Sequence, residues 1–90
     1  MNVVRRLVTV TGSVQGVSFR YYCKKTAQRL GVSGWVGNQP DGSVMAVLEG
    51  DSDLVEATVE WMRHGPRLAR IDQVSVVEEE PQGETGFMIR

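Results

Sequence analysis

The residues best suited to chemistry lie in Gly12-Ser13-Val14-Gln15-Gly16-Val17-Ser18-Phe19-Arg20. This segment joins a strand-like stretch to the start of a helix-like one. Backbone N–H groups at a helix N-terminus have no intrahelical partner and point outward, so they attract an anion. Gly12 and Gly16 let such a loop curl and approach a ligand closely. Arg20 falls in the first helical turn, where the helix dipole disfavours a cation. An Arg there makes sense if its planar fork grips a phosphate. The spacing also fits a solvated surface Arg behind an ordinary glycine loop, because the segment is neither a Walker loop nor a dinucleotide fingerprint. Asn38, just before Gln39-Pro40-Asp41-Gly42, is a second candidate. It reads as a holder of water or substrate, or as routine turn chemistry. The pattern fits both.

Other reactive side chains read as structural. Cys23 and Arg29 have the Cys-x5-Arg spacing of cysteine-dependent phosphatases, whose chemistry needs a loop wrapped around phosphate. Here the segment reads as helix, and six residues turn through about 600°, leaving the two side chains about 120° apart. Cys23 lies on the apolar stripe as a buried thiol, with no glycine cradle to depress its pKa. His64 suits the negative end of a helix dipole. Tyr21 and Tyr22 offer a stacking surface, but no basic strand carries aromatics, so RNA binding is the weaker reading. Glu78, Glu79 and Glu80 read as a solvated run.

The elements that must position the candidates follow from periodicity. Leu7 to Thr11 alternates around Val8 and Val10, a strand with one apolar face. Phe19, Cys23, Ala27 and Leu30 share one helix face, with Lys24, Lys25, Gln28 and Arg29 on the other side. Gly31 stops that helix. Val32 to Asn38 and Ser43 to Glu49 form a hairpin around the Pro-Asp-Gly turn. Asp53 and Glu56 make a capping-box pattern. The second helix then carries Leu54, Val55, Thr58, Val59, Trp61 and Met62 inward and ends at Gly65-Pro66. In Ile71 to Val77 the alternation slips by one, which suggests a bulge. Phe87 and Ile89 mark a last short strand. The order β-α-β-β-α-β plus a short strand predicts an α+β, ferredoxin-like split βαβ sandwich: an antiparallel sheet with two helices on one face. That fold hosts many functions, so function must come from the site.

Composition narrows the field. Ninety residues suit one domain, 1–90. A net charge of −1 argues against a dedicated nucleic-acid or anionic-membrane binder. One cysteine and one histidine exclude an internal disulfide and make a protein-only metal site improbable, so neither metal nor cofactor is expected. No apolar run approaches ~20 residues, so no membrane span is expected. The N-terminus lacks the apolar stretch of a signal peptide, which leaves a cytoplasmic setting as the simplest expectation. The expected state is a monomer.

Val14-Gln15-Gly16-Val17-Ser18-Phe19-Arg20, then Gly34-Trp35-Val36-Gly37-Asn38 and Asp41-Gly42-Ser43-Val44, resemble the acylphosphatase family. The first block is close to that family's Val-Gln-Gly-Val-x-Phe-Arg signature, and the second matches its Gly-Trp-Val-x-Asn block. Gly65-Pro66 and Phe87-Met88-Ile89-Arg90 also look like the family's ends. The resemblance implies hydrolysis of an acyl phosphate to carboxylate and phosphate, with a small-molecule substrate and no cofactor. It implies that Arg20 binds the phosphate and that Asn38 holds the attacking water. The loop residues Gln15, Gly16, Val17, Ser18 and Phe19 would supply phosphate-binding N–H groups. Ser13 and Gly37 depart from the family, standing where basic residues often occur. The alternatives are a non-catalytic anion-binding or regulatory domain of the same fold, and a detached domain of larger maturation enzymes.

Overall fold

The computed structural model describes residues 2–90. Strand β1 spans Val3–Ser13, longer at both ends than the Leu7–Thr11 alternation predicts. It is a central strand, bonded antiparallel to β3 (Val44–Asp51) and to β4 (Arg70–Glu79). Ladders on both sides carry its backbone through Arg5 and Arg6, where side-chain polarity alone gives no strand signal. Val8 and Val10 point into the core with no exposed surface.

Helix α1 spans Phe19–Leu30 and buries Phe19, Cys23, Thr26 and Ala27. Gly31 closes it in the left-handed conformation, at φ 73°. Strand β2 (Ser33–Asn38) pairs antiparallel with β3, as the hairpin reading requires. Helix α2 spans Ser52–His64, but its cap is Asp51 and not Asp53. Strand β3 runs straight into the helix, so its last residue has extended backbone and its carboxylate accepts from the Asp53 N–H at 3.0 Å. Asp53 lies inside the first turn instead. Val55, Thr58, Val59 and Met62 are buried, while Leu54 is exposed and Trp61 half-buried.

The slip in β4 is a bulge. Thr11 faces Gln73 while Gly12 faces Ile71, so Asp72 is the extra residue. Strand β5 (Phe87–Ile89) joins the far edge parallel to β2, giving a mixed sheet in the order β4-β1-β3-β2-β5. The sheet carries both helices on one face, and their apolar sides meet Val8, Val10, Val36, Ala46 and Leu48 in one core. Among the described residues, no helix is long and apolar enough to cross a membrane.

The three glutamates at the end of β4 are not uniformly solvated. Glu78 is largely exposed and pairs with Arg6 at 3.4 Å, whereas Glu79 accepts from Arg5 Nε at 2.9 Å. The buried Arg5 also donates to the buried Glu49 at 3.2 Å. Glu49 in turn accepts the N–H groups of Gln82, Gly83 and Glu84 at 2.8, 2.7 and 2.8 Å. This cluster fastens the chain between β4 and β5 to the sheet and sets where β5 begins.

Candidate active site

Residues 14–18 carry the chain from β1 into α1. Gly16 has φ 75° and Ser18 has φ 65°, ψ 24°. Ser18 is the only non-glycine with positive φ among the described residues. Such a conformation costs on the order of 1–3 kcal/mol and persists only where surroundings enforce it. Its consequence is local. Ser18 occupies the N-cap position of α1, yet its side chain makes no capping bond, and the first turn holds no acidic residue. The positive end of α1 is therefore left open to an external anion.

Two further elements meet this loop. The end of β2 brings Asn38 and the end of β5 brings Ile89, and together with Gly16, Ser18, Phe19 and Arg20 they line one cleft of about 380 Å3. Gln15 ties the two halves. Its Nε2 donates to the carbonyl oxygens of Gln39 at 2.8 Å and Ser43 at 3.0 Å. The loop is thus pinned to the hairpin that carries Asn38. Arg20 is held from the other side, where its Nη1 donates to the main-chain oxygen of Arg90 at 3.3 Å. Arg90 is placed by β5: its N–H donates to Val36 O at 2.8 Å, and its guanidinium lies 4.3 Å over the Trp35 ring.

The turn after Asn38 is built by another residue. Asp41 Oδ1 accepts from the Ser43 N–H at 2.9 Å and from Ser43 Oγ at 2.6 Å. These bonds hold the Asp41 carboxyl below its ordinary range. Among the described residues, none hydrogen-bonds the Asn38 side-chain amide, and Asn38 is exposed to the cleft.

The remaining side chains fall as their positions in the chain require. Cys23 is buried, and desolvation pushes its thiol up to about 12. His64 sits at the end of α2, 3.2 Å from Glu60. Among the described residues, no three His, Cys, Asp or Glu side chains gather as metal ligands. Gly37 has no left-handed φ. What limits it is space, since a Cβ there would lie 3.3 Å from Arg90 Cβ. The Arg90 side chain starts from the space a residue at 37 would fill.

Of the residues expected at the site, Arg20, Asn38, Gly16, Ser18 and Phe19 converge on the cleft. Gln15 instead turns its side chain to the hairpin, and Val17 packs against the core. Ile89 and Arg90 were not among the expected site residues. A three-residue strand carries almost no alternation, and the available signals were the Phe87/Ile89 pair and the resemblance of Phe87-Met88-Ile89-Arg90 to the family's end.

Net charge hides a segregated field. Helix α1 carries Arg20, Lys24, Lys25 and Arg29 and no acid. Arg5, Arg6, Arg63 and Arg70 each face a carboxylate elsewhere. An approaching anion therefore meets its positive potential on the α1 side.

Fold and cleft together define a small α+β sandwich with an anion-suited strand–helix loop. The sequence pattern of the acylphosphatase family matches residues 6–89. An acylphosphatase of a Nocardioides strain is 57% identical over 83 residues, covering 92% of this chain and 84% of that protein. One from Thermococcus kodakarensis is 49% identical over 89 residues, covering 99% and 98%. The crystal structure of acylphosphatase from Bacillus subtilis superposes with a TM-score of 0.94 at 32% identity, covering 97% of this chain and 98% of that one. The chain belongs to the acylphosphatase family and is an enzyme of that activity.

Proposed function

We propose that the enzyme cleaves the carboxyl–phosphate bond by direct attack of water on phosphorus, with the phosphate held by the loop amides of residues 15–19 and by Arg20, and the water oriented by Asn38. One observation carries the proposal: Arg20 and an Asn38 amide with no partner among the described residues line a single cleft at the open N-terminus of α1. An acyl phosphate is a mixed anhydride whose carboxylate leaves readily, so no strong general acid is needed. The transferring phosphoryl group spreads negative charge over its oxygens, which the Arg20 fork and the loop N–H groups meet. Asn38 is an amide and accepts no proton at neutral pH. Its part is to hold water in line, a contribution of positioning. The proton leaves water for a phosphate oxygen of the substrate itself.

Arg20 is set for this by its bond to the main-chain oxygen of Arg90, which restrains a long side chain before substrate arrives. Less rotamer freedom is then lost on binding. Replacing Arg20 with Gln should abolish nearly all benzoyl phosphate hydrolysis and weaken inorganic phosphate binding, with the thermal transition unchanged. Lys should rescue poorly, since a point charge lacks the planar fork. Near-normal kcat/KM in Arg20→Gln would remove Arg20 from the mechanism.

A further inference from the structure

A second concavity runs along α1, lined by residues other than those of the Arg20 cleft. It is a groove of about 500 Å3 between α1, α2 and the turn that follows α2. Tyr22, Lys25 and Arg29 line it from α1, Trp61 from α2, and Pro66 and Arg67 from the turn. Trp61 packs on Phe19 with ring centroids 5.2 Å apart and keeps part of its surface open to the groove. Among the described residues, no carboxylate lines the groove. Among the described residues, none offers Lys25, Arg29 or Arg67 an ion pair, although four other arginines of the chain have one. Like charges at Lys25 and Arg29, four apart on one helix face, disfavour the helix they sit on. Three cations without an ion pair thus line the groove beside two aromatic rings, with the Lys25 Nζ 5.7 Å from the Tyr21 ring centroid.

We infer that this groove binds an aromatic organic anion of mononucleotide size, its ring against Trp61 and Tyr22 and its phosphate or carboxylate among Lys25, Arg29 and Arg67. The volume is that of a small-molecule site. Aromatic faces take a planar ring, and guanidinium forks take an oxyanion bidentately. The inference does not depend on the roles assigned to Arg20 and Asn38.

The probe is AMP, with adenosine and ribose 5-phosphate as its two halves. Binding is measured by calorimetry and by the Trp61 indole N–H resonance. AMP should bind at one site and shift the Trp61 signal, with each half binding about tenfold or more weakly. Arg29→Gln combined with Arg67→Gln should weaken AMP by about tenfold or more and leave the thermal transition and the kcat for benzoyl phosphate unchanged. Saturating inorganic phosphate should not displace AMP. Three results would overturn the inference: no saturable AMP binding in the millimolar range, AMP binding lost in Arg20→Gln but intact in the double variant, or adenosine binding as tightly as AMP.

Discussion

Asn38 and Asp41 stand three positions apart on one hairpin, and replacing each with Ala separates positioning of water from construction of the turn. Asn38 is exposed and its amide has no protein partner among the described residues, so Asn38→Ala removes no intramolecular bond. Its unfolding free energy should stay within about 0.5 kcal/mol of the parent, the usual range for a surface change. At about 4–8 °C per kcal/mol for a domain of this size, Tm should move by no more than ~4 °C. Loss of one preorganised polar group at the reacting centre typically costs about 10²–10³ in kcat. That loss should appear in kcat with KM little changed, because water is placed only for the transition state.

Asp41→Ala should do the reverse. It leaves the buried Ser43 hydroxyl without the 2.6 Å acceptor it now has, and the Ser43 N–H without its 2.9 Å one. Tm should fall while the folded enzyme keeps most of its kcat. The Asp41 carboxyl is depressed in the fold by Ser43, so its contribution is present at neutral pH and disappears as pH falls through that lowered pKa. The Tm difference between parent and Asp41→Ala should therefore shrink in acid. The assay is thermal unfolding beside benzoyl phosphate kinetics for both variants. If Asn38→Ala lowers Tm as Asp41→Ala does and its folded fraction keeps normal kcat, Asn38 is a turn residue and water positioning is lost as an explanation.

Three further outcomes are expected. Burial alone would raise the Glu49 carboxyl, but the N–H groups of Gln82 and Glu84, Arg5 and the Gly83 N–H more than offset it and hold it below its ordinary range. Glu49→Gln should therefore cost about 1.5–3 kcal/mol at neutral pH in urea unfolding, since Arg5 keeps Glu79 and Glu84, and the gap to the parent should close in acid as the native carboxylate protonates. Gln15→Leu removes the bonds to Gln39 and Ser43, so kcat/KM should drop about tenfold or more while stability changes by only about 1 kcal/mol; an unchanged kcat/KM would mean the loop keeps its place without the hairpin. Cys23, pushed up to about 12 by burial, should resist a disulfide reagent in the native protein and react on unfolding, and Cys23→Ala should remain active with a small loss of stability from the cavity.

Where local pattern decides structure, the sequence was readable. Helix α1 ends where Gly31 stands, because a single residue tolerant of left-handed backbone decides the stop. The β2–β3 hairpin follows from two apolar alternations around a Pro-Asp-Gly turn. The slip between Ile71 and Val74 foretold the bulge at Asp72, since an extra residue must shift the period by one. Where two local solutions compete, pattern failed. Asp51 and Asp53 both cap well, and only the direct passage of β3 into α2 selects Asp51. Strand β5 was legible as a strand but not in its pairing. Three residues carry no register, and the Arg5–Glu49 cluster that fastens residues 82–84 is assembled from three distant strands and a loop.

The same distinction governs the site. Residue types and spacing suggested Arg20 and Asn38, but each had an ordinary alternative, a solvated cation or a turn amide. Those alternatives differ from the functional readings in partners, which spacing does not encode. A solvated Arg has no reason to be restrained; Arg20 bonds the main-chain oxygen of Arg90 at 3.3 Å. A turn amide satisfies the turn; here Asp41 does so, and the Asn38 amide is left to the cleft. Ionic pairing works likewise across the surface. A sum of −1 gives every charge equal weight, but Arg5, Arg6, Arg63 and Arg70 are each matched by carboxylates within 4.0 Å, whereas among the described residues Lys24, Lys25 and Arg29 of α1 are not. Paired charges contribute little field beyond their own neighbourhood, so the unmatched ones set the potential an anion meets. That potential is screened over about a Debye length, ~8–10 Å at ordinary salt, and falls mainly on ligands close to α1. An acidic protein can thus present a cationic approach to a phosphate.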